Sequence, residues 1–132
     1  MEKEFIPYEQ ALALKMLIFD EPCFGFYLAN NKVNLFNDCK WEERTNSDFI
    51  HHFMDRDTSA VAPTYSQAFR WFRKKYGLQS YVKDECPNVE PYYDFVIDEK
   101  VYGIMVDTYE EADFERLKKL IELVKKKLGS VK

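Results

Sequence analysis

Apolar residues recur at helical spacing in three stretches of the chain. Between Pro7 and Ile18, Ala11, Leu14 and Ile18 line one side while Tyr8, Leu12 and Phe19 lie nearby. Apolar residues cover most of this segment's surface, which predicts the most buried of the helices. From Tyr65 to Tyr76, the residues Tyr65, Ala68, Phe69, Phe72 and Tyr76 mark a core face, with Arg70, Arg73 and Lys74 opposite. From Tyr109 to Leu128, a stripe of Phe114, Leu117, Leu120, Ile121, Val124 and Leu128 predicts a third helix. Its first half carries Glu110, Glu111, Asp113 and Glu115 and its end carries Lys125, Lys126 and Lys127, both placements that suit the helix dipole.

The three helices open alike, with PYEQAL from Pro7, TYSQAF from Thr64 and TYEEAD from Thr108. Shared capping chemistry accounts for the likeness. Thr64 with Gln67, and Thr108 with Glu111, read as capping boxes, in which the hydroxyl accepts from the N3 amide and the longer side chain reaches back to the cap. Pro7 sits where proline is tolerated at a helix start. Gly77 is placed to end the second helix in the left-handed region.

Alternation replaces helical spacing between these segments. CFGFYLANNKVNLFN reads as two strands, with Phe24, Phe26 and Leu28 on one face and a two-residue turn at Asn30–Asn31. LQSYVKDE is a short strand after the second helix. YYDFVIDEKVYGIMVDT is a second hairpin about Asp98–Lys100, in which Tyr93, Phe95 and Ile97 face the same way as Tyr102, Ile104 and Val106. Without a regular βαβ alternation, the order predicts an α+β fold: an antiparallel sheet of four to five strands with three helices packed on one face. Phe24, Phe26, Phe69, Phe72, Phe95, Leu117 and Ile121 are the expected core.

Residues 38–63 break the pattern. SDFIHHFMD suits a short helix and the rest reads as a polar, mobile loop inserted in a single domain spanning residues 1–132. Within it, His51, His52, Asp55 and Asp57 are metal-ligand types. Adjacent histidines on a helix diverge by about 100°, however, so the group reads as a solvated ion pair and not as a metal site.

Composition narrows the class of function. The chain has 132 residues, 17% of them aromatic, enough to build a core. The net charge of −4 offers no global attraction to nucleic acid or to an anionic membrane. Residues 1–63 hold 6 basic and 11 acidic side chains, a balance of −5; residues 64–132 hold 13 and 12, a balance of +1. No segment is apolar enough to span a membrane, the first residues lack the apolar stretch of a signal peptide, and Cys23, Cys39 and Cys86 form no CxxC pair. Reduced thiols in a cytoplasmic protein are expected.

EFIPYEQALALKMLIFDEPCFGFY, QAFRWFRKKYGL and the final YEEADFERLKKLIELVK resemble a group of small uncharacterised proteins encoded by phages and mobile elements of gut bacteria. The resemblance covers about two-thirds of the chain and skips residues 38–63. It implies origin and size, and no catalytic or binding residue follows from it.

The chemistry visible in the sequence leans away from an enzyme. There is no G-x-S-x-G elbow and no glycine-rich phosphate loop, and Cys86 sits beside Asp84 and Glu85, which disfavour a thiolate. No cofactor or metal is expected. APTYSQAFRWFRKKYGL concentrates five rings and four basic side chains, and Trp71 falls off the apolar stripe beside Gln67. Trp and Arg dominate interaction hot spots. The expectation is therefore a protein-interaction surface, self-association included, made by Trp71, Arg70, Lys74 and Gln67, with Trp41 as a second anchor. In this reading Trp71 is partly exposed. The alternative is nucleic-acid binding through the basic faces of helices 64–76 and 109–128. It is not favoured, because the chain is acidic overall.

Overall fold

The structure, a computed structural model, describes residues 4–28, 32–35, 45–47, 58–83, 93–104, 106 and 108–129. These form three helices, α1 (Tyr8–Met16), α2 (Tyr65–Tyr76) and α3 (Tyr109–Gly129). The strands are β1 (Gly25–Leu28), β2 (Asn34–Leu35), β3 (Ser59–Ala62), β4 (Ser80–Lys83), β5 (Tyr93–Ile97) and β6 (Lys100–Ile104). The fold is α+β. In place of the one sheet of four to five strands expected, the strands make two antiparallel sheets, ordered β2-β1-β3 and β4-β5-β6. The chain divides into two compact units, Met1–Gln67 and Ala68–Lys132, each holding one sheet.

The difference originates at β3. Ser59–Ala62 lies in the segment read as loop, yet all four residues are buried and pair with β1 from Gly25↔Ala62 to Leu28↔Ser59. β1 thereby becomes a central strand. Phe26 and Tyr27, on opposite faces, are both buried, while Phe24 precedes the strand and is 65% exposed, against the expectation that it lies in the core. On the other side Phe26 pairs with Asn34. A two-residue turn at Asn30–Asn31 would have placed Leu35 there, so the register is one residue away from that turn.

Helix α1 packs on β3 and is fastened to it by polar bonds. The Tyr8 hydroxyl donates to the Thr58 carbonyl and Lys15 Nζ donates to the Ser59 carbonyl at 2.6 Å. The Tyr27 hydroxyl donates to the carbonyl of Ile6 at 2.8 Å, just ahead of the helix. Buried Asn46 joins three segments, its amide donating to Phe19 O at 2.7 Å and its carbonyl accepting from Val61 N at 3.0 Å. Gly25 is required where it stands, because a Cβ there would lie 2.9 Å from the Phe5 ring.

The helix expected to reach Ile18 stops at Met16. Ile18 N–H donates to Lys15 O and Phe19 N–H to Leu14 O, both at 3.0 Å, which is a Schellman ending. Ile18 takes the left-handed position at φ 66° and is 75% exposed, whereas Leu14 and Phe19 are buried as the accompanying apolar pair.

In the second unit, α3 packs against β4 and β5. Phe95 and Tyr102 lie opposite each other and stack with centroids 5.3 Å apart, and Lys119 of α3 reaches to 5.2 Å over Tyr102. The face carrying Phe95 and Tyr102 is therefore the one α3 covers, as the alternation in the hairpin implies. Phe95, Leu117 and Ile121 are buried as expected. The β5–β6 turn is Asp98–Glu99, with positive φ at both residues (50° and 72°), the type I′ geometry that suits strand twist.

Candidate functional site

Helix α2 carries most of the residues singled out for binding, so its local structure decides what they can do. Its start is capped as the sequence implies: Gln67 N–H donates to Thr64 Oγ1 at 3.2 Å, and at α3 Glu111 N–H donates to Thr108 Oγ1 at 3.1 Å. The Gln67 side chain, however, donates to Pro22 O. Gln67 thus spends its amide on structure, tying the helix start to the segment before β1.

The buried arc of α2 differs from the expected one. Ala68, Trp71 and Phe72 are buried, while Tyr65, Phe69 and Tyr76 are only half-buried. At about 100° per residue the arc is turned by about 60° toward Trp71. Trp71 is 5% exposed, which corrects the expectation of a partly exposed ring. It meets Phe72 and Tyr76 edge-on at 5.1 and 5.4 Å, and Lys75 lies over it at 5.3 Å. The physical reason lies in spacing. Ala68, Trp71, Phe72 and position 75 form an i, i+3, i+4, i+7 set, and Lys75 at its end disguises it. The Lys75 ammonium covers the rings of Trp71 and Tyr76 while remaining at the surface. Burial in the same ring cluster raises the pKa of Tyr76 above the ordinary phenol value.

Arg70, Arg73 and Lys74 remain on the outer face. All three are exposed and, among the described residues, none has an ion-pair partner. The helix contains no acidic residue. The outer lysines of α3 contrast with them. Lys118 pairs with Glu115 at 3.3 Å, Lys119 with Glu122 at 3.4 Å, and Lys126 with Glu122 at 3.3 Å. Glu122, bonded first to Lys126 and then attracted by Lys119, has its carboxyl below the ordinary value.

A cluster that the sequence reading missed joins α2 to α3. The Arg116 guanidinium stacks on Phe69 with 3.5 Å from Cζ to the ring centroid and pairs with Asp113 at 3.4 Å. Arg116 is buried, and its Nε has no hydrogen-bond partner among the described residues. Burial pushes its pKa down, opposed by Asp113 and Tyr109. Burial also raises the Asp113 carboxyl, against the attraction of Arg116 and with repulsion from Glu110. A signal was present: Ala112, Arg116, Leu120 and Val124 run at i, i+4 through the buried face.

Trp41 lies outside the described residues, as do His51, His52, Asp55 and Asp57. Among the described residues no three His, Cys, Asp or Glu side chains are placed to hold a metal ion, and no helix is long and apolar enough to cross a membrane. Cys23 is buried, and its thiol donates to Glu21 O at 3.4 Å. Comparison of the chain with known families, curated proteins and solved structures gives no match.

Proposed function

We propose that this chain is a non-catalytic protein-interaction protein that receives an acidic partner on the outer face of α2. One observation carries the reading: Arg70, Arg73 and Lys74 stand exposed and, among the described residues, without an ion-pair partner, along a helix without a single acid. Unpaired like charges on one face repel each other, and an acidic partner relieves that repulsion while supplying carboxylates for the guanidinium forks. Trp71 supports the face from beneath and is not a contact residue. The resemblance to proteins of phages and mobile elements fits an accessory role of this kind.

A nucleic-acid ligand is less well served. Three cations neutralise about three phosphates, a small footprint beside the six to ten common in stable complexes. Of the α3 lysines, Lys118, Lys119 and Lys126 are already paired and do not extend it.

Titration with a polyglutamate peptide and with a single-stranded oligonucleotide of equal charge, across a salt series, tests the reading. Binding to polyglutamate at low salt, lost in Arg70→Glu/Arg73→Glu/Lys74→Glu with the circular dichroism unchanged, supports it. Binding to the oligonucleotide alone makes the face a nucleic-acid surface, and binding to neither removes α2 as a ligand site.

A further inference from the structure

The hairpin β5–β6 fixes which backbone groups of β6 are used. In a two-residue type I′ hairpin the residues flanking the turn form a hydrogen-bonded pair, here Ile97 and Lys100. Alternation then makes Phe95↔Tyr102 and Tyr93↔Ile104 hydrogen-bonded pairs and leaves Val96↔Val101 and Asp94↔Gly103 as the non-bonded ones. The N–H and C=O groups of Val101 and Gly103 therefore point away from β5. β6 is an edge of its sheet, and among the described residues no backbone bond reaches these groups.

Exposure agrees with the register. Val101 is 53% exposed and Gly103 is exposed, whereas Ser80 and Val82, the outward-pointing residues of the opposite edge at β4, are half-buried. β2 is only two residues long, and β3 is buried throughout. Edge strands are ordinarily blunted by proline, an outward charge or a bulge. β6 has none of these at the two outward positions, and Gly103 has no side chain to keep another backbone at a distance.

We infer that β6 is a self-pairing edge that takes β6 of a second copy of this chain, antiparallel and centred on Tyr102. In that register Val101 of one copy lies opposite Gly103 of the other, and each pair exchanges both N–H···O bonds, four bonds in all about a two-fold axis. Lys100 falls opposite Ile104 of the second copy, so no like charges meet across the seam. The two sheets join into one of six strands, and each Val101 covers the bare Cα of the opposing Gly103. The occupant is a second copy because the donor and acceptor pattern on either side of Tyr102 is its own complement. The site is separate from the cationic face of α2 and does not depend on it.

Sedimentation over a wide concentration range, with amide exchange followed by NMR, tests this. The mass is expected to rise from the 15.8 kDa of one chain toward twice that value. The amides of Val101 and Gly103 become protected as it does, while the Tyr102 amide is protected already in the monomer. Val101→Lys weakens the association about tenfold or more, because the two new lysines become diagonal neighbours on one face across the axis and the apolar cover over each Gly103 is lost. Tyr81→Lys, exposed on the same face of the sheet but on β4, leaves the association unchanged, and so does Arg70→Glu. A chain that stays monomeric at the highest concentration overturns the inference. So does a dimer indifferent to Val101→Lys, or one dissolved by Arg70→Glu.

Discussion

Ile18 and Gly77 adopt the same backbone conformation, with φ of 66° and 68°, at the ends of α1 and α2. A helix that ends in this way asks for a residue without a Cβ, and only α2 has one. At Gly77 an added Cβ would meet no atom within 4 Å, so any cost of Gly77→Ala is backbone strain alone. That substitution should lower stability by about 1 kcal/mol in urea unfolding. The reverse holds at Ile18. Its side chain is mostly exposed, so Ile18→Gly forfeits little packing and releases a β-branched residue from a region it rarely visits. Stability should rise by about 1 kcal/mol, reduced by the greater freedom of glycine in the unfolded chain. A loss in Ile18→Gly would mean that the exposed isoleucine makes contacts worth more than the strain it bears.

Helix α2 shows how local chemistry and packing separate at the scale of an element. Its cap at Thr64, its terminator at Gly77 and the charge on its outer face are all legible in the sequence, because each depends on residues within one or two turns. The placement of Trp71 is not, since two overlapping stripes share Ala68 and Phe72 and a lysine completes the one that is buried. The consequence is measurable. Trp71→Ala should cost about 3–5 kcal/mol, as removing a core Trp does, while Arg73→Ala on the outer face should change stability by less than about 0.5 kcal/mol. Equal, small effects would put Trp71 back at the surface. β3 escaped notice for a different reason. Ser59–Ala62 is made of small residues after a polar run, and nothing local marks it as a strand. Its partner β1 lies far away in sequence, and long-range pairing of this sort leaves no periodic trace. Arg116 escaped because a charged residue in an apolar stripe reads as an interruption until the ring of Phe69 is placed beneath it.

Charge belongs to the molecule as a whole, yet the net value of −4 conceals carboxylates that respond to pH in opposite senses. Asp113 is raised by burial, so its contribution favours the folded chain at pH below the ordinary carboxylate range and is lost as pH rises through its raised value. Glu122 is lowered by Lys126 and Lys119, so its contribution is present above the ordinary range and disappears as pH falls through its lowered value. Two neutral substitutions separate these effects. The stability of Asp113→Asn minus that of the parent chain should become more favourable as pH climbs through the carboxylate range, because only the parent then carries a half-buried charge. The stability of Glu122→Gln minus that of the parent should become less favourable over the same span, because only the parent then forms the lysine pairs. Urea unfolding at a series of pH values reads both differences directly, and constant offsets from altered packing cancel in the slopes. If the Asp113→Asn difference instead grows less favourable with pH, the attraction of Arg116 outweighs burial. The guanidinium stacked on Phe69 would then be a partner that stabilises the carboxylate, with the pair contributing to the fold of the second unit at neutral pH.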